Sequence, residues 1–105
     1  MDEKKIKDLR KKVEDMLAKS ERSRNSDQFL TIKLWVEHYP EAIKVIDGEK
    51  MIKLNDIMLL PREDNVKRIR AIIQNVEHRF LPTDPDVRKK RGISEHIWYQ
   101  YCKNN

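Results

Sequence analysis

The stretch Leu59-Leu60-Pro61-Arg62-Glu63-Asp64-Asn65-Val66-Lys67-Arg68-Ile69-Arg70-Ala71-Ile72-Ile73-Gln74-Asn75 decides how this chain is read. A short apolar helix breaks at Pro61, and a second helix opens at once with polar and basic residues on one side. Val66, Ile69, Ile73 and Val76 recur at helical spacing and predict a buried stripe. Lys67, Arg68 and Arg70 are expected to face outward, beside Arg62 and Asn65 near the helix start. An amphipathic helix pinned by a short partner, with Arg, Asn and Lys toward its N-terminal end, is how a helix-turn-helix meets a DNA groove. The turn Leu60-Pro61-Arg62 lacks the glycine such motifs usually carry, so a variant geometry is expected.

Before this unit, Ile43 to Ile46 and Glu49 to Leu54 flank Asp47-Gly48. Asp-Gly favours the positive φ angles of a tight type I′ turn, so a β-hairpin is predicted there. Its strands are short and should lie against helices. A hairpin beside the two helices would make a winged-helix-like arrangement. Further upstream, Asn25 or Ser26 can cap a helix that carries Phe29, Leu30, Ile32, Leu34, Trp35, Val36 and Tyr39 and stops at Pro40. As the most apolar segment it should form the core, with Trp35 and Tyr39 as packing residues. Ser20 to Asn25 reads as a hinge, and residues 2–22 as a charged helix with apolar positions at Ile6, Leu9, Val13, Met16 and Leu17. That spacing is an a/d pattern over barely two heptads, so the helix can dock on the domain, pair with a second copy or stay solvated and fray. Downstream, Asn55 and Asp56 can cap the short helix through Leu60. Asp84 and Pro85 open another helix, which Gly92 ends, and Ser94 caps a last one.

The expected fold is therefore mostly α, a small helical domain with one β-hairpin and a helix-turn-helix-like unit at 55–76. Two units are expected, a charged amphipathic helix over 1–23 and the domain over 24–105. Of 105 residues, 38% are apolar and 39% charged, so the core must be small. The net charge of +5 favours a negatively charged partner, nucleic acid first. Between residues 62 and 91, nine basic residues stand against five acidic ones, a balance of +4. Within that set Arg62, Asn65 and Arg68 have the planar groups that read base edges. Lys67, Arg88, Lys89, Lys90 and Arg91 read as phosphate contacts, and Arg70 completes the candidate nucleic-acid surface. Glu63 and Asp64 suit the helix dipole but repel phosphate, and a solvated helix face with capping acids is the competing reading.

Little in the chain points to catalysis, and no enzyme activity or cofactor is expected. One cysteine, Cys102, excludes an internal disulfide. His38, His78, His96 and Cys102 lack the spacing of a metal site. There is no glycine-rich phosphate loop. Met1-Asp2-Glu3-Lys4-Lys5 does not resemble a signal peptide, and no apolar run approaches the roughly 20 residues of a membrane span, so a cytoplasmic protein is expected.

The pattern Arg24-Asn25-Ser26-Asp27, then Leu60-Pro61-Arg62-Glu63-Asp64-Asn65-Val66-Lys67-Arg68-Ile69-Arg70, Ile73-Gln74-Asn75, Leu81-Pro82-Thr83, Lys90-Arg91-Gly92-Ile93 and Trp98 resembles a group of small phage and prophage proteins. It covers about residues 24–98 and leaves the first helix outside. The resemblance implies a mobile-element origin and a regulatory or accessory role. It carries over no catalytic residue. The expected function is duplex DNA binding by the 62–76 helix, with a homodimer through residues 2–22. The alternatives are a module binding a host protein, such as a phage-encoded inhibitor, and a virion assembly accessory.

Overall fold

The computed structural model describes residues 3–104. Met1, Asp2 and Asn105, which belong to the two expected units, lie outside the described residues. Among the described residues, seven α-helices and one two-stranded antiparallel hairpin follow each other along the chain. Helix α1 (Glu3–Lys19) is followed by α2 (Glu21–Asn25) and α3 (Asp27–His38). A 3-10 turn at Pro40–Ala42 leads into β1 (Ile43–Ile46) and β2 (Glu49–Ile52). Then come α4 (Leu54–Ile57), α5 (Glu63–Ala71) with a π-helical continuation at Ile72–Val76, α6 (Pro85–Lys90) and α7 (Glu95–Asn104). None of the described helices is long and apolar enough to cross a membrane.

One core joins α1, α3 and α5. Leu9, Val13, Met16 and Leu17 from α1 pack with Leu30 and Leu34 from α3 and with Val66 and Ile73. The helix of the expected 1–23 unit thus docks on the 24–105 unit and shares its core. Four of the apolar residues of α1 are spent inside the chain, and Ile6 stays 45% exposed. The same stripe that can pair two helices of two chains buries equally well against its own domain, and short connections through Ser20 and Ser26 bring α1 back onto α3. The hinge expected at 20–25 is helical: Ser20 accepts a hydrogen bond from the Ser23 amide and starts α2. Ser26 does the same for Phe29 and starts α3 as expected.

Asp47 and Gly48 both have positive φ, 52° and 80°, the conformation a type I′ turn requires. The register pairs Ile43 with Ile52 and Ile46 with Glu49. Contrary to expectation the hairpin does not lie flat on helices. Ile43 and Ile52 at its base are half-buried, whereas Val45, Ile46 and Met51 stand in solvent. Helix α4 is a single turn with no buried residue, and Lys53, not Asn55 or Asp56, occupies its N-cap position without a side-chain bond. The helix-turn-helix-like unit thus has a one-turn first helix, and α5 takes its support from α1 and α3.

The stripe of α5 also changes phase. Val66 and Ile73 are fully buried and Ile69 partly so, but Val76 is 72% exposed. The π-helical segment explains the difference. The Glu77 amide bonds to the Ile72 carbonyl, five residues back, which widens the turn and shifts the inward positions by about one residue. Ile73 and Gln74 both face inward as a result. Beyond it the chain leaves through His78 and Phe80, both in the left-handed region at φ 53° and 48°. A backbone of that kind needs support from its surroundings. Gln74 Nε2 donates to the Phe80 carbonyl at 2.8 Å, and the Arg24 and Arg79 guanidinium groups stand over the Phe80 ring.

On the outer side of α1, Arg10 binds both Glu14 and Glu77 and so ties α1 to the end of the π-helical segment. Arg10 keeps the Glu77 carboxyl below its usual range, and Lys19 and His38 do the same for Asp15.

Candidate nucleic-acid interface

The start of α5 is held from below. Trp35 Nε1 donates to the Pro61 carbonyl at 2.8 Å, so the apolar helix α3 anchors the turn that launches α5. The amides of Asn65 and Val66 both bond to the Arg62 carbonyl, and Glu63 and Asp64 occupy the first turn, where the helix dipole favours carboxylates.

The basic residues of the expected surface divide into two sets. The first set is inside. Arg70 is 3% exposed and faces the core side of α5, a correction to the expectation that it points outward. Its Nε and Nη2 donate to the two carboxylate oxygens of Asp27, each at 2.8 Å. Position 70 lies four residues after Val66 and three before Ile73, hence on the buried face. Arg88 is likewise buried, donating to the Thr83 carbonyl at 2.7 Å, with its guanidinium 4.0 Å from the centre of the Trp98 ring. Arg91 donates to the Arg24 carbonyl at 2.6 Å and to Gln74 Oε1 at 2.8 Å, and lies 3.7 Å from Asp27. Burial, with Arg70 close by, pushes Arg91 down to about 10 against the pull of Asp27, so it remains charged at neutral pH. Arg88 and Arg91 were expected at phosphates. They are held instead by the backbone carbonyls of Thr83 and Arg24 and, for Arg91, by the Gln74 side chain, which offsets part of the cost of drawing guanidinium groups inward.

These contacts belong to one polar network. Gln74, fully buried, donates to the carbonyls of Arg24 and Phe80. Asn25 donates to Thr83 Oγ1 and accepts from the Asp84 amide. Arg24, Asn25, Asp27, Arg70, Gln74, Thr83 and Arg91 all come from the pattern quoted above, so much of that pattern is architecture. It closes α2, α3, α5 and α6 around a charged centre.

The second set stays at the surface. Arg62, Lys67, Arg68, Lys89 and Lys90 are exposed, and Asn65 is half-buried. Their side chains make no hydrogen bond or ion pair with any of the described residues. By contrast Arg10, Lys19, Lys33, Arg79, the buried Arg70 and Arg88 and the half-buried Arg91 each face a carboxylate. Asn75 donates to the Arg91 carbonyl at 3.2 Å, which joins the end of α6, with Lys89 and Lys90, to the far end of the 63–76 helix.

Arg62 and Asn65 also line an open groove of about 450 Å³ between α1 and the turn before α5. Its floor is Leu9, Tyr39, Leu60 and Pro61, and Lys5 and Lys12 are on its α1 side. Lys12 donates to the Tyr39 hydroxyl at 3.2 Å. The sequence reading placed Lys5 and Lys12 on a solvated arm. Their position beside Arg62 follows from the docking of α1, which no local pattern announces. His78 and His96 share a shallow depression with Gln100 and Asn104, but the described residues include no group of three or more His, Cys, Asp or Glu able to hold a metal ion.

No family model matches the chain, and no solved structure matches it. The chain is similar to peptide chain release factor 1 of Mycoplasma mycoides subsp. mycoides SC, 28% identical over 85 residues, which are 81% of this chain and 23% of the relative. It is also similar to peptide chain release factor 1 of Mycoplasma capricolum subsp. capricolum, 26% identical over 88 residues, 84% of this chain and 24% of the relative. The chain spans about a quarter of the length of these curated relatives.

Proposed function

We propose that this protein is a non-enzymatic DNA-binding accessory or regulatory protein of a phage or mobile element, acting in the host cytoplasm. The observation that supports this reading is the division of the cations. Five positive side chains of this face and Asn65 remain at the surface without internal partners, while the helix that bears Asn65, Lys67 and Arg68 is tied down by Trp35 and Arg70. Unpaired cations meet phosphate without first giving up an ion pair, and a helix already fixed in place loses little freedom on binding. In this mechanism the outward side of α5 enters the major groove. Arg62, Asn65 and Arg68 reach base edges, and Lys67, Lys89 and Lys90 contact phosphate. Arg70, Arg88 and Arg91 act at one remove, as the frame that holds α5 and α6.

Reversal of two free charges tests the reading. Lys67 and Arg68 are exposed and unpaired, so Lys67→Glu/Arg68→Glu is expected to fold normally. A net hydrogen bond to a charged group contributes about 1.5–3 kcal/mol, or tenfold and more in affinity. The double variant is therefore expected to bind a mixed pool of duplex DNA about 100-fold more weakly by fluorescence anisotropy. Equal affinity in variant and wild type would sink the reading.

A protein-binding module, such as an inhibitor of a host system or a virion assembly accessory, is the second reading. Seven large apolar side chains left in solvent between Val45 and Leu59 favour it. The similarity to peptide chain release factor 1 favours a partner in peptide chain release.

A further inference from the structure

Leu54, Met58 and Leu59 are 80%, 85% and 81% exposed, the highest values among the large apolar side chains. They form an apolar knob on α4 and the turn after it. Soluble proteins seldom leave three such side chains together in water without a use for them. The knob is also the lip of the groove between α1 and α5, since Met58 and Leu59 line it. A projecting apolar knob and an apolar-floored groove therefore lie side by side on one face of one molecule.

Their charges are complementary. The segment 54–60 contains one charged residue, Asp56, which is negative. The groove presents Lys5, Lys12 and Arg62 against Asp8, a balance of +2. A two-fold contact requires that the same patch carry both the inserting and the receiving part, so that each copy fills the other. A knob next to a groove of opposite charge meets that requirement within about one helical turn of chain.

We propose that this face is a symmetric docking site for a second copy of the chain. Met58 and Leu59 of each copy enter the groove of the other, and Asp56 faces the Lys5, Lys12 and Arg62 cations. Leu9, Val13, Met16 and Leu17 of the α1 stripe, which at first sight suits a dimer, are consumed in the core, whereas Leu54, Met58 and Leu59 stand in solvent. The contact goes beyond the DNA-binding reading and does not depend on it.

Sedimentation velocity of the full chain, without DNA, over the micromolar to millimolar range tests the proposal. The wild type is expected to pass from monomer to dimer as concentration rises. Met58→Glu/Leu59→Glu is expected to stay monomeric throughout with an unchanged thermal midpoint, because both side chains are already in water. Asp56→Lys is expected to weaken the dimer, and Asp56→Lys combined with Lys5→Glu/Lys12→Glu to restore it. A wild type that is monomeric at every concentration overturns the proposal, as does a dimer indifferent to Met58→Glu/Leu59→Glu. Lys67→Glu/Arg68→Glu is expected to dimerise normally, so loss of DNA binding and loss of the dimer are separable. A monomeric wild type that binds an acidic amphipathic peptide through Lys12 also overturns the proposal and assigns the groove to another protein.

Discussion

Replacing Arg70 by alanine is expected to lower the unfolding free energy by about 3 kcal/mol, the lower end of the roughly 3–5 kcal/mol typical of breaking a buried ion pair. Arg70 is almost fully enclosed and binds both carboxylate oxygens of Asp27. Without it Asp27, which is 16% exposed, loses its main neutralising group. The reason for choosing the low end is Arg91, which lies 3.7 Å from Asp27 and partly takes over. The cavity left by the guanidinium and its stem adds a penalty of its own. For a domain of this size, 3 kcal/mol corresponds to a thermal midpoint lower by about 12 °C or more. Arg68→Ala, two residues away on the solvent side, is expected to shift the midpoint by less than about 2 °C. Differential scanning calorimetry of the two variants checks the contrast. Equal midpoints for Arg68→Ala and Arg70→Ala would contradict the structural role given to Arg70.

Deletion of residues 1–19 is expected to abolish folding of the remainder. The helix contributes Leu9, Val13, Met16 and Leu17 to a core cluster whose other members are Leu30, Leu34, Val66 and Ile73. Truncating one fully buried Leu or Met side chain to alanine costs about 2–5 kcal/mol. Removal of all four, about 8–20 kcal/mol at that rate, matches or outweighs the roughly 5–15 kcal/mol that separates a typical folded domain from its unfolded chain. It also strips the apolar faces of α3 and α5 and leaves Glu77 without Arg10. Far-UV circular dichroism with thermal scanning checks this result. A fragment beginning at Ser20 that unfolds cooperatively, near the midpoint of the full chain, would show α1 to be an appended arm after all.

These two results bear on what a sequence of this kind discloses. Local chemistry was legible. Asp47-Gly48 specifies its turn because few residue pairs accept two positive φ angles, and Gly92 ends α6 at φ 77° for the same reason. Ser26 and Asp84 cap their helices through bonds that span two or three residues. The apolar positions of α1 were legible as well, but their destination was not. A stripe records that a face will be buried and says nothing about which surface buries it.

The candidate site was legible in part for a related reason. Arg62, Lys67 and Arg68 lie off the stripe of α5 and are exposed, as their positions imply. Arg70 was misplaced because its charge was weighed above its position between Val66 and Ile73. Its partner Asp27 is 43 residues distant, so nothing nearby marks the pair. Arg88 is drawn inward by the loop carbonyl of Thr83 and Arg91 by the carbonyl of Arg24 at the end of α2, and such carbonyls leave no trace in a sequence. The π-helical shift at Ile72–Val76 is of the same kind, since it breaks the periodicity by which a helix is recognised.

The central claim is that five cations, Arg62, Lys67, Arg68, Lys89 and Lys90, are kept free for DNA while three arginines hold the frame. The salt dependence of duplex binding counts such contacts directly, because each neutralised phosphate releases about 0.9 of a counterion. The measurement is the slope of log affinity against log salt for the wild-type protein. With all five cations on phosphate the expected slope is about −4.5, and about −3 when two of them turn to base edges. A slope near zero, or of about −1, would contradict the claim and leave the surface cations as ordinary solvated charge.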